Sequence, residues 1–442
     1  CVGRRMGPRM LRESDNSARI VRDIYEVLQA SRQAPPEMLL VPDSYADLVD
    51  DLKMNGYDTK TFALKMKAMI EGLELKIQSA KLQEYLYRYS ASSSIPKGLH
   101  CLSLRLSDEY SSNANARMQL PSPELVYRLT DNGYHHIVLA SDNVLAASVV
   151  VSSAVRNSIK QELMVIHVIT DKKTYSAMHA WFALHPPKTA VLEVKSIHQF
   201  DWLTEDNASV LKELESHFKI QRYYYGDDTF GRDFDDSLRV LNSKLQARSP
   251  RYISRMNHLC IYLPELFPNL QKVVFLDDDV VVQRDISPLW DIDLEGKVNG
   301  AVETCRGGNQ WVMSKSFKTY FNFSHPLISK NLDPDQCAWA YGMNIFDLTA
   351  WRKTNIKGTY HYWIKKNLES NFTLWRFGTL PPALISFNGH VHPIDPIWHM
   401  LGLGYHSKTN LHDVQQAAVI HYNGQDKPWL DMAFPQLRPF WK

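Results

Sequence analysis

The chain has 442 residues, 44% of them hydrophobic, and a formal net charge of +2. This is enough apolar content for a large core and for more than one structural unit. The charge balance excludes the strong positive field of a nucleic-acid binder. No apolar run approaches the roughly 20 residues that cross a bilayer, and no signal peptide opens the chain.

The chain begins at Cys1 rather than Met, followed by a basic cluster at Arg4, Arg5, Arg9 and Arg12. That cluster reads as a solvated terminus or as a juxtamembrane segment; a membrane anchor is expected upstream in the full-length protein. Ile20, Ile24, Val27 and Leu28 form one amphipathic stripe, and Phe62, Met66, Met69, Leu73, Ile77 and Ala80 form a longer one. Pro35-Pro36 and Pro42 break the first helix from the next. The stretch from Ser90 to Pro96 is small and polar, as a linker should be. Residues 1–95 are therefore expected to be a helical stem whose stripes are core or self-association faces. Residues 96–133 are expected to connect it to, and pack on, a catalytic domain over 134–442.

Near Tyr134 the pattern changes to short apolar runs alternating with helical ones. Strands are expected at His136–Ala140, Met164–Ile169, Ala190–Val194 and Lys272–Leu276. Helices are expected at Val144–Val155, Thr174–Leu184 and about Tyr252–Leu263. Such alternation predicts parallel βαβ units, in which ligands bind beyond the carboxyl ends of the strands. The polar stretch Gln221–Leu245 reads as a long loop. Three acceptor triplets for N-glycosylation start at Asn207, Asn322 and Asn371. Of the five cysteines, Cys260 reads as a buried thiol, Cys305 and Cys337 could be bridged, and Cys1 or Cys101 could link subunits.

Three stretches carry chemistry. The first is Phe275-Leu-Asp-Asp-Asp-Val-Val-Val282, where three acids end an apolar run. In extended chain Asp277 and Asp279 share a face; two converging carboxylates repel unless a cation lies between them, and oxygen ligands suit Mg²⁺ or Mn²⁺. Asp278 should point the other way, toward a donor. The second is Ala418-Val-Ile-His-Tyr-Asn-Gly-Gln-Asp-Lys-Pro-Trp429. There His421 could complete a metal site, and Lys427 beside a glycine turn could hold a diphosphate. The third is Leu139-Ala-Ser-Asp-Asn143, past a strand. It could read a nucleoside, or cap the following helix through Ser141 or Asp142; both roles could coexist.

In this order and spacing the three stretches resemble family 8 of the glycosyltransferases, which includes glycogenin and bacterial lipopolysaccharide galactosyltransferases. Further runs resemble its plant galacturonosyltransferase branch: His135–Val151, Val168–Lys172, Lys195–Trp202, Trp339–Asn344, Trp398–Tyr405 and Lys97–Leu106. The resemblance covers roughly residues 97–442.

The resemblance implies an α/β fold of the GT-A type, a Rossmann-like nucleotide-sugar-binding domain with a mixed sheet, preceded by a helical stem. It implies that Asp277, Asp279 and His421 ligate Mn²⁺, with Mg²⁺ the alternative, and that Lys427 and the Gly424 backbone hold the UDP diphosphate. Ala140 and Asp142 would contact uridine, and Arg255 would lie near the sugar nucleotide. Where several family members have an Asp-Gln pair near the donor sugar, this chain has Leu380-Pro-Pro-Ala383, as in the galacturonosyltransferase branch. A galacturonate donor brings a carboxylate that needs a cationic or amide partner, with His399, Lys172 and Arg255 as candidates. The expected activity is retaining transfer of galacturonate from UDP-galacturonate to an oligo- or polygalacturonide acceptor, in pectin synthesis in the Golgi lumen, by a type II anchored protein that could associate with sister galacturonosyltransferases. Action on another cell-wall glycan such as xylan, or service as a non-catalytic anchoring subunit, are the alternatives.

Overall fold

The computed structural model describes residues 45–56, most of 63–84, and 96–200, 255–305, 315–375, 378–405, 407 and 409–441. The chain divides into two compact units, one of residues 1–93 with 222–246 and one of 94–221 with 247–442. Asn207, the stripe at Ile20–Leu28 and the stretch Gln221–Leu245 lie outside the described residues. No helix among the described residues is long and apolar enough to cross a membrane.

In the first unit, helix α1 (Tyr45–Asn55) buries Leu48, and Asp51 on it pairs with Lys65 at 2.7 Å. Residues 65–77 are also helical, but Leu73 and Ile77 of the expected stripe are 39% and 51% exposed. Phe62 lies outside the described residues.

The second unit is α/β. Helix α2 (Lys97–Ser112) leads into β1 (His135–Ala140), α3 (Val144–Asn157), β2 (Met164–Thr170), α4 (Tyr175–Leu184) and β3 (Val191–Ser196). After the segment outside the described residues come β4 (Lys272–Leu276), β5 (Val280–Val282), β6 (Asn299–Ala301), β7 (Met343–Asp347), β8 (Val391–Pro393) and β9 (Val419–His421). Among the described residues the main sheet has seven strands in the order β3-β2-β1-β4-β7-β6-β8, while β5 and β9 form a separate antiparallel pair. Of these described strands only β7 runs against its sheet neighbours. The sheet is mixed, and the Rossmann-like arrangement of the GT-A type is the one observed.

The first four strands follow their apolar runs because both faces are covered. β2 is buried at every residue and β1 at its four central ones. Continuous burial is what a parallel sheet with helices packed on it requires. Helix α3 is rich in β-branched valine, a modest helix former. Tertiary burial of Val144, Val150 and Val151 overrides that preference, each contributing roughly 1.5–3 kcal/mol. Residues 96–133 pack on the sheet unit through α2 and α4: Tyr110 meets Tyr175 and His179 edge-on, and Ser107 Oγ lies 3.3 Å from Ser176 Oγ.

The expected helix at Tyr252–Leu263 differs. A 3₁₀ helix runs Arg255–Tyr262, and one short α turn follows at Leu263–Leu266. Its tighter winding accompanies two anchors: His258 Nδ1 meets the Tyr360 hydroxyl at 2.7 Å, and the Tyr262 hydroxyl meets His361 Nε2 at 2.9 Å. Cys260 is buried there, and burial pushes its thiol up to about 12. Cys305 and Cys337 are disulfide-bonded, with 5.4 Å between their Cα atoms.

Candidate active site

The topology places one crevice. From β1 the chain steps one way to β2 and β3, then returns to lay β4 on the other flank of β1. At such a reversal the loops beyond the carboxyl ends diverge and leave room for a ligand. Ala140-Ser141-Asp142 leaves β1 there, and Asp277-Asp278-Asp279 leaves β4 beside it. The two loops are tied together, for the Ser141 hydroxyl donates to Asp278 Oδ2 at 2.7 Å.

That bond corrects the expected helix cap. The Ser141 hydroxyl is engaged by Asp278 and also accepts the Asn143 N–H at 3.0 Å. The cap of α3 falls to Asn143, whose Oδ1 accepts from the Ala146 N–H at 3.3 Å. Asp142 is exposed, and its carbonyl accepts from Thr174 Oγ1 at 3.4 Å.

Asp277 and Asp279 do converge, though not because a strand alternates: they sit in the turn between β4 and β5. What aligns them is β5, which leaves the main sheet to pair with β9 so that Val280 opposes His421. The Tyr422 N–H then donates to the Asp279 carbonyl at 2.9 Å, and the Asp277 N–H to the Gly342 carbonyl at 2.8 Å. In this frame His421 Nε2 lies 2.8 Å from Asp279 Oδ1 and 3.8 Å from Asp277 Oδ2. Ligand atoms of Asp277, Asp279 and His421 all fall within 4.8 Å of one another. Lys427 Nζ donates to Asp279 Oδ2 at 2.5 Å and to the Tyr422 carbonyl at 2.7 Å.

The electrostatics follow. Burial, reinforced by the neighbouring Asp279 carboxylate, pushes Asp277 up to about 7. Burial acts on Asp279 in the same direction, but His421 and Lys427 overcome it and hold that carboxyl below its ordinary value. Two carboxylates at one point cannot both ionise freely; a divalent cation relieves the repulsion. The donor set of two carboxylates and one imidazole fits Mn²⁺, and Mg²⁺ less closely because of the nitrogen ligand.

The remaining expected residues fall as follows. Ala140 is half-buried at the end of β1, paired with Ile169. Lys172 is exposed in the turn after β2. Arg255 opens its 3₁₀ helix, and its side chain lies outside the described residues. The Gly424 N–H donates to the Leu403 carbonyl at 2.9 Å. Gly424 is required for close approach: a Cβ there would lie 2.1 Å from the Gly404 carbonyl carbon. His399, expected near a donor carboxylate, is fully buried behind His421, its Nε2 3.0 Å from His421 Nδ1. Burial, and then the neighbouring His421, hold its pKa well below the ordinary histidine value.

Residues 101–433 match the sequence family described as Glycosyl transferase family 8. The chain belongs to that family. It is 64% identical over 444 residues to a protein of Arabidopsis thaliana named Probable galacturonosyltransferase 13, with 100% of this chain and 83% of that protein covered. It is 62% identical over 443 residues to Probable galacturonosyltransferase 14 of the same plant, with the same coverage. Among solved structures, the galactosyltransferase LgtC in complex with donor and acceptor sugar analogs aligns at a TM-score of 0.45 and 17% identity, over 69% of this chain and 93% of LgtC.

Sequence reasoning about this family 8 chain missed two parts of the site. Gly342, at φ +117, lies against it so closely that a Cβ would come within 2.3 Å of His421 Cε1 and 2.8 Å of Asp277 Oδ2. Buried Asn344 shapes that turn, accepting the Gly342 N–H at 3.1 Å and donating to the Ala340 carbonyl at 3.0 Å. The run Trp339–Asn344 did carry a signal, a glycine before a strand in which a small residue allows close approach, but nothing local said what approaches. The second is Ser141, which stitches β1 to the acidic turn. The disulfide lies beside the Gly342 turn: residues 302–304 pair with 338–340, and Cys305–Cys337 closes that ribbon.

Proposed function

We propose that this chain transfers galacturonate from UDP-galacturonate to a growing homogalacturonan, forming an α-1,4 linkage with retention of configuration. The observation that carries the reading is the convergence of Asp277, Asp279, His421 and Lys427 at the carboxyl ends of β1 and β4. The two Arabidopsis relatives, both named as probable galacturonosyltransferases, support the choice of sugar. The Cys305–Cys337 disulfide fits the oxidising lumen of the Golgi.

Asp277, Asp279 and His421 would hold Mn²⁺, which supplies positive charge opposite a departing diphosphate. Lys427, which now bonds Asp279, adds a second charge where leaving-group charge develops. An acceptor hydroxyl attacks the anomeric carbon from the face the diphosphate leaves. The new carbon–oxygen bond forms as the bond to phosphate breaks, and the departing phosphate oxygen takes the proton. Asp279 engages His421 and Lys427 and Asp277 would be a ligand of the cation, which argues against either as a covalent nucleophile. Of the three candidates for the donor carboxylate, His399 is buried, which leaves Lys172 and Arg255.

The test is UDP release and chain extension from UDP-galacturonate, Mn²⁺ and an oligogalacturonide. Extension should occur with the wild-type chain and fall by at least about 10²–10³-fold in Asp277→Ala, the scale of removing a group that stabilises developing charge. Undiminished extension by the variant removes the assignment.

A further inference from the structure

His399 is fully buried, and its place is set by its backbone. Its N–H donates to the Pro396 carbonyl at 3.3 Å, and the following residue, Met400, bonds β9 on both sides: its N–H to Val419 and its carbonyl from His421. The imidazole is thereby held nearly parallel to that of His421, 13° between planes, with Nε2 at 3.0 Å from His421 Nδ1. We propose that His399 is a positioning residue, which accepts the Nδ1–H of His421 and so fixes the ring with Nε2 turned toward Asp277 and Asp279. This inference rests on the metal-centre reading above.

The argument is one of hydrogen-bond bookkeeping. An imidazole that ligates through Nε2 carries its proton on Nδ1, and His421 Nε2 is the nitrogen that faces the carboxylates. His421 is itself buried, so its Nδ1–H needs an acceptor inside the protein. His399 Nε2 is that acceptor, which puts the His399 proton on Nδ1. That atom is buried and has no hydrogen-bond partner. Packing alone does not account for such a residue, since leucine would fill the space without stranding a polar atom. A carboxylate, the usual outer partner of a ligating histidine, would bring a third negative charge close to Asp277 and Asp279, at a position that is itself fully buried. A second imidazole accepts the proton and adds no charge.

The experiment is Mn²⁺ titration by calorimetry of the wild-type chain, His399→Leu, His399→Gln and Asp277→Ala, with melting temperatures in chelator. His399→Leu should weaken Mn²⁺ binding by about 10–100-fold. His399→Gln, whose side-chain oxygen can reach the same acceptor position, should recover most of the loss. Wild-type affinity in His399→Leu, with wild type binding and Asp277→Ala not, overturns the inference and leaves the metal centre standing. Wild type that binds no Mn²⁺ defeats the metal centre instead. If His399→Leu does not fold, ¹⁵N-histidine spectra of the wild-type chain decide, with His421 assigned through His421→Asn. With the site loaded with Mg²⁺, a diamagnetic stand-in for Mn²⁺ that replaces the Nε2 proton, a proton on His421 Nδ1 supports the inference, and an unprotonated Nδ1 overturns it.

Discussion

Among the described residues are two buried pairs of stacked histidines, and only one of them opens onto chemistry. In the first, His136 Nδ1 lies 3.0 Å from His167 Nε2, with the rings 21° apart. In the second, His399 and His421 meet at the same 3.0 Å. The first chain is closed at both ends: His136 Nε2 meets the Asp131 carbonyl at 2.8 Å, and His167 Nδ1 meets Glu193 Oε1 at 2.5 Å. Every ring nitrogen has a partner, and the chain crosses β1, β2 and β3 within the sheet. Burial, then His167, push His136 down to about 4. The second chain ends on Asp279, beside Asp277, where two acids crowd one point. Identical side chains thus stabilise a fold where their hydrogen bonds are satisfied, and prepare a binding site where like charges are left to be balanced. What separates the two is position relative to the reversal of strand order at β1.

Lys427→Met sharpens the contrast most. It removes the cation that engages Asp279, so transfer should fall by about 10²–10³-fold. Mn²⁺ binding without nucleotide should hold or strengthen, since a positive charge beside the ion is gone; calorimetry alongside UDP release separates the two effects.

Gly342→Ala comes next. The added methyl would collide with His421 and Asp277 in a left-handed backbone, so Mn²⁺ affinity should drop by about 10–100-fold. Stability should fall by about 1–3 kcal/mol, read by chemical denaturation.

The pH dependence of metal binding is the third. Asp277, pushed up to about 7, must lose its proton to ligate. Proton and cation compete, so Mn²⁺ affinity should rise about tenfold per unit up to pH about 7 and level off above it. Calorimetry in two buffers should show a proton released below that pH.

The smallest effect on function belongs to the closed chain. His167→Leu strands His136 Nδ1 and the Glu193 carboxylate, which should cost about 1–3 kcal/mol of stability. Mn²⁺ affinity should not change. A loss of affinity there would join the two networks and break the comparison.

Much of the sheet was legible because its physics is local. Parallel strands buried on both faces must be continuous apolar runs, so His136–Ala140, Met164–Ile169 and Lys272–Leu276 could be read to within a residue or two of their observed ends. Residue chemistry also picked out Asp277, Asp279, His421 and Lys427. Other features depended on partners distant in the chain. Ser141 looked like a helix cap until Asp278, 137 residues away, took its hydroxyl. Gly424 was legible as a backbone position needing glycine, but it was not legible that Gly404 is what packs against it. His399 looked like a ligand for a sugar acid until its burial behind His421 was seen.

The sequence by itself determined which segments become strands and which side chains can bear charge, because backbone periodicity and side-chain chemistry are properties of neighbours. Only the tertiary structure decided that three valines after the acids would pair with Val419–His421. Three-residue strands carry no periodicity of their own, and their partner is chosen by burial of Val281, Ile420 and Tyr422 in one apolar cluster. That pairing brings Lys427 to Asp279 across 148 residues of chain, and from it the site takes its shape.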